Sequence, residues 1–119
     1  MANTFKVATF AAEPASAGTP YVMYTIAGST TGVVLGLILT NLNTTSVTAE
    51  VELVSTTANR SVANNTANGT SFLVKDVSIP AGSSLEVLTG GKVVMETTDI
   101  LKIDCSVADK LSGTLSIME

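Results

Sequence analysis

At 119 residues the chain has the length of one domain, and 45% hydrophobic residues stand beside only 13% charged ones, about half the usual charged share. Six Lys and Arg against ten Asp and Glu leave a net charge of −4, and Lys6, Arg60, Lys75, Lys92, Lys102 and Lys110 are scattered, which excludes a patch for phosphate backbones. The lone cysteine, Cys105, excludes an intrachain disulfide, and the apolar run Gly32–Leu39 falls far short of the roughly 20 residues of a membrane-spanning helix.

Neither nucleic acid nor membrane is therefore an expected partner. The opening Met1-Ala2-Asn3-Thr4-Phe5 lacks the charged-then-apolar pattern of a secretory signal, so maturation in a reducing cytoplasm is expected.

In chain order, short β-rich runs alternate with clusters of Gly, Asn, Pro, Ser and Thr, and no segment has helical periodicity. Phe5–Phe10 is the first run, and the flexible-looking Pro14-Ala15-Ser16-Ala17-Gly18 after it marks residues 1–19 as an N-terminal arm. Tyr21–Ala27 carries bulky residues on both faces, Tyr21 and Met23 on one and Val22, Tyr24 and Ile26 on the other, as expected of a central or intersubunit strand. Val33–Asn41 is apolar on both faces. Val47–Val54 alternates cleanly, with Val47, Ala49, Val51 and Leu53 inward and Thr48, Glu50 and Glu52 toward water.

Residues 56–70 hold four Asn and almost no bulky apolar side chain, which predicts an exposed loop presenting Asn59, Arg60, Asn64, Asn65 and Asn68. In Phe72–Ile79, Lys75 falls in step with Leu73 and Val77, so a bulge or an exposed edge is expected there. Gly90-Gly91, between Leu85–Leu88 and Val93–Met95, predicts a tight hairpin. Asp99–Val107 turns Leu101, Ile103, Cys105 and Val107 inward, and Gly113–Met118 does so with Leu115 and Ile117. The sum is an all-β fold: a single antiparallel β-sandwich, jelly-roll or Ig-like, of eight or nine strands over residues 1–119.

Chemistry is sparse. With no histidine, the usual general base and the commonest transition-metal ligand are missing together. Cys105 is in phase with core aliphatics, Glu50 and Glu52 share a solvent-facing phase, and Asp99, Asp104 and Asp109 do not match a calcium loop. Gly82, Gly90 and Gly91 lie between strands with no Lys-Ser or Lys-Thr to make a phosphate loop. The sequons at Asn43, Asn59, Asn64 and Asn68 read as turn chemistry. An enzyme is not expected, nor a cofactor, nor a metal.

The segment Val77–Glu119 holds the turn Pro80-Ala81-Gly82-Ser83-Ser84-Leu85, the strands Lys92-Val93-Val94-Met95-Glu96 and Asp99-Ile100-Leu101-Lys102-Ile103, and the ending Ser116-Ile117-Met118-Glu119. In these motifs it resembles small virion structural proteins of tailed bacteriophages, of the cyanophage and marine-phage type. These residues are architectural, so the resemblance carries over no functional site, and the first third of the chain matches loosely. It implies a place in a virion made in the host bacterial cytoplasm; the low charged share points to a surface covered by neighbouring subunits, and together they give a head decoration or cement protein that self-associates, as a trimer, and packs on the major capsid protein. The alternative is an adaptor in the neck, tail, baseplate or fibre attachment; a third reading makes residues 56–70 a receptor or glycan contact. For assembly, the residues expected to matter are Phe5, Val7 and Phe10 in the first run and Tyr21, Met23 and Tyr24 in the second.

Overall fold

The computed structural model describes residues 3–57 and 65–119. Nine strands run through them: β1 (Phe5–Glu13), β2 (Tyr21–Thr25), β3 (Gly32–Asn41), β4 (Val47–Ser55), β5 (Gly69–Ile79), β6 (Ser84–Glu86), β7 (Val93–Met95), β8 (Ile100–Cys105) and β9 (Leu111–Met118). They form two antiparallel sheets, the first ordered β1-β9-β3-β6 with β7 also on β3, the second β2-β8-β4-β5.

β6 and β7 occupy one strand position. Both run antiparallel to β3, β6 against Ile38–Thr40 and β7 against Gly32–Val34, and Val87 N–H bonds Leu37 C=O at 2.9 Å between them. Gly90-Gly91 therefore does not reverse the chain, contrary to the hairpin expected from sequence. Gly90, at φ +76°, lets the segment leave β3 and rejoin it in the same direction.

With β6/β7 counted once, the pairs are β1 with β9, β2 with β8, β3 with β6/β7 and β4 with β5. This is one long antiparallel hairpin of strand pairs, rolled up so that β9 also meets β3 and β8 also meets β4. That pairing is a jelly roll, and it decides between the two sandwiches the sequence allowed.

The core lies between the sheets, with Leu37, Leu39, Leu115 and Ile117 of the first facing Val51, Leu101, Ile103 and Cys105 of the second. The alternation in β4 holds: Val47, Ala49 and Val51 are buried and Leu53 packs against the core at its rim. The expected irregularity at Lys75 is a bulge, because Lys75 and Asp76 stand opposite Glu50 alone, with Asp76 at φ +51°. β5 is also an edge strand.

The segment read as an arm is docked on its own chain: Phe5–Phe10 pairs in register with Gly113–Met118 as the edge strand β1. Phe10 points inward, its ring edge-on to Tyr21 at 5.2 Å between centroids, over a β9 position where glycine makes room for it. A Cβ on Gly113 would overlap the Phe10 ring. Gly113→Val is accordingly expected to cost about 2 kcal/mol, read as a lowered urea midpoint with an unchanged slope.

Candidate functional site

The two outer sheet faces differ in chemistry. On the second sheet, Glu50 stands across from Asp104 and Glu52 from Lys102, and Lys75 Nζ lies 3.1 Å from Glu50 and 3.9 Å from Asp76. Hydrogen bonding to Glu50 is the main reason that the Lys75 ammonium titrates above its usual range. Exposed Val22 and Phe72 sit at its two edges, across from Lys102 and Glu52, so the charge is at the centre of this face and its apolar residues are separated by it.

The outer face of the first sheet is uncharged across three adjacent strands. Phe5, Val7 and Thr9 of β1 lie beside Met118, Ser116 and Thr114 of β9, which lie beside Val33, Gly36 and Ile38 of β3. Lys6 falls in the opposite phase, and Glu86 stands across from Ile38 at the rim. One row, Phe5-Met118-Val33-Val94, crosses four strands with apolar side chains alone. Phe5 is 73% exposed, Val7 67%, Val94 59% and Ile38 45%. Between Val7 and Leu35 the small Ser116 leaves an open groove. A contiguous apolar strip of this kind is unusual on a protein surrounded by water.

Of the six residues expected to serve assembly, the structure leaves two free to do so. Phe5 and Val7 are on this surface, whereas Phe10 and Met23 are core residues at 7% and 9% exposure. Tyr21 and Tyr24 are half-buried against the same core. The two-sided look of the second run has a local cause: β2 is an edge strand with a register shift between Val22 and Tyr24, which turns Tyr24 toward Leu101 and its inward neighbours. Val33, Ile38 and Val94 were not singled out by sequence, because an apolar outer residue reads like a core residue when both phases of a strand are apolar.

Tyr24 also joins the sheets. Its hydroxyl donates to Glu119 at 2.5 Å and Lys6 Nζ donates to the same carboxylate at 2.7 Å, while Thr4 and Glu119 exchange backbone bonds at 2.7 and 2.8 Å. Burial, then the bond to Glu119, pushes the Tyr24 phenol up to about 12. Lys6 and then Tyr24 hold the Glu119 carboxyl below its usual 4.5. A lowered carboxyl stabilises the fold above its unfolded-state value, and that contribution is lost as pH falls through the folded-state value. A raised phenol contributes below pH 10 and loses that contribution as pH climbs through about 12. Glu119→Gln is therefore expected to cost about 1–2 kcal/mol at neutral pH and to flatten the acid limb of stability against pH, measured by thermal melts between about pH 3 and 7.

Of the expected loop residues, Asn59, Arg60 and Asn64 lie outside the described residues. Asn65 is half-buried, and Asn68, at φ +65°, forms the turn into β5 with its N–H on Ser55 C=O at 2.8 Å. Cys105 is buried at 3% exposure. Asp99 and Asp104 are buried too, and each carboxylate accepts backbone N–H groups, Asp99 from Thr56 and Glu96 at 3.0 Å and Asp104 from Cys105 at 2.8 Å and Gly18 at 3.2 Å. Among the described residues no group of three or more metal-ligating side chains is placed to hold an ion. No helix is long and apolar enough to cross a membrane.

No protein-family model matches the chain, and neither curated proteins nor solved structures give a match.

Proposed function

We propose that this chain is a structural protein of a bacteriophage particle, a head decoration or cement protein that self-associates and packs on the capsid through the outer face of its first sheet. The observation that carries the reading is the contrast between the two faces: one bears ion pairs, while the other crosses four strands with Phe5, Met118, Val33 and Val94. Covering about 1,000 Å² of such a surface is within reach of a standard protein–protein contact, and its apolar centre would supply most of the affinity.

The fold does not choose the function, since jelly rolls serve many. The placement on a virion is supported by the likeness of Val77–Glu119 to small tailed-phage proteins, whose shared stretches include β6, β7 and β8. The absence of histidine from the whole chain supports a role without acid–base catalysis.

Quantitative mass spectrometry of particles purified from the host is the test. A stoichiometric virion component present in hundreds of copies is expected; about a dozen copies or fewer would move the chain to the neck or tail, and absence from particles would refute the reading.

A further inference from the structure

Hydrogen-bond phase in β1 shows which backbone groups are spoken for. Thr4 and Glu119 exchange both of their bonds, so in the register Phe5↔Met118, Lys6↔Ile117, Val7↔Ser116 the residues Lys6 and Ala8 also turn their N–H and C=O toward β9. Phe5, Val7 and Thr9 turn theirs away from it. Among the described residues no strand pairs on that side.

The other three edges are blunted. β2 has only five residues, follows Pro20 and has a register shift; β5 has two shifts, one of them the Lys75–Asp76 bulge; the fourth edge is broken between β6 and β7. Short, bulged or charged edges resist pairing. β1 from Phe5 to Thr9 is neither short nor bulged, its one charge, Lys6, is paired with Glu119 of its own chain at 2.7 Å, and two of its three outward residues are large, apolar and more than 60% exposed.

We propose that the free edge of β1 pairs antiparallel with β1 of a second copy, about a two-fold axis at Val7. This rests on the self-association proposed above and names its surface. With Val7 facing Val7 of the second copy, Phe5 faces Thr9 and each pair exchanges two bonds, about six in all. Lys6 faces Ala8, so no like charges oppose each other, and Glu13 lies beyond the paired stretch. Phe5, Val7 and Thr9 of both copies share the outer face, so the two apolar strips join into one platform on one side of a continuous sheet. An isologous contact of this kind closes as a dimer, in place of the trimer expected from sequence.

Because Val7 N–H points away from β9, Val7→Pro removes an intermolecular donor while sparing the ladder inside the chain. Light scattering of the full chain is expected to show a wild-type dimer, weakened about 100-fold by Val7→Pro as both central bonds are lost. Thermal stability measured below the dissociation constant is expected to be nearly unchanged. Val7→Cys provides a second reading independent of proline: residues facing each other at about 5.5 Å suit a disulfide, so oxidation is expected to yield a covalent dimer, whereas Thr9→Cys, facing Phe5, should not cross-link. Self-association that survives Val7→Pro, or equal cross-linking of both cysteine variants, overturns edge pairing and leaves the proposed function standing. Wild type that is monomeric yet loses particle binding on Val7→Pro overturns the second copy as occupant. Wild type that neither associates nor binds particles overturns both.

Discussion

Asp99→Ala is expected to be among the most damaging single substitutions, with a loss of about 3 kcal/mol and a fall in melting temperature of about 12 °C. The carboxylate is 2% exposed and accepts the N–H groups of Thr56, at the end of β4, and Glu96, after β7, each at 3.0 Å, with Thr57 Oγ1 at 3.4 Å. Alanine would strand the two backbone donors, and an orphaned donor costs more than the bond was worth. The same carboxylate anchors a turn in which Thr98, a β-branched residue, is held at φ +64°, a conformation that persists only when its surroundings enforce it. Asp99→Asn keeps the shape and one acceptor and should recover about a third of the loss. Urea titration followed by far-ultraviolet dichroism separates the two variants from wild type.

Asp99 also shows where reading the sequence stops. Its place before the inward series Leu101, Ile103 and Cys105 was legible, because alternation is local. Glu96 belongs to its own turn, but Thr56 and Thr57 come from the turn after β4, more than 40 residues away in sequence, so the link between the two turns is not legible locally. Asn41 is a parallel case. It ends β3 at 1% exposure, donates to Thr45 C=O at 3.0 Å and Ile79 C=O at 2.9 Å, and accepts from Asn43 N–H at 2.7 Å; nothing in its neighbourhood distinguishes it from the turn residues that follow. The all-β class, the face assignment of β4 and the bulge at Lys75 were readable from periodicity and a misplaced charge. Gly90-Gly91 misled because the same dipeptide that closes a hairpin also lets a strand leave and rejoin one neighbour. The arm misled because a β1 of apolar and small residues reads alike whether its partner is β9 of its own chain or a strand of another.

Phe5→Lys combined with Val94→Lys is the second large effect. Both side chains are exposed, at 73% and 59%, so the fold should lose less than about 1 kcal/mol. A contact that covers the row Phe5-Met118-Val33-Val94 would have to bury two unpaired ammonium groups, and its affinity should fall at least about 1,000-fold. Co-sedimentation with particles stripped of the protein is expected to be lost in the double variant. Lysines placed at Glu50 and Glu52 on the opposite face should leave co-sedimentation intact. That pairing of variants separates burial of one face from a general effect of charge.

Packing on a capsid and pairing of two copies both require that the first sheet's outer face be shielded by other molecules instead of by water. The molar mass of the wild-type chain, followed by light scattering from low micromolar to millimolar concentration, tests this most directly. A mass that rises above the 12.1 kDa of one chain with concentration is the predicted result. A single species at that mass across the whole range, freely soluble and indifferent to particles, would contradict it.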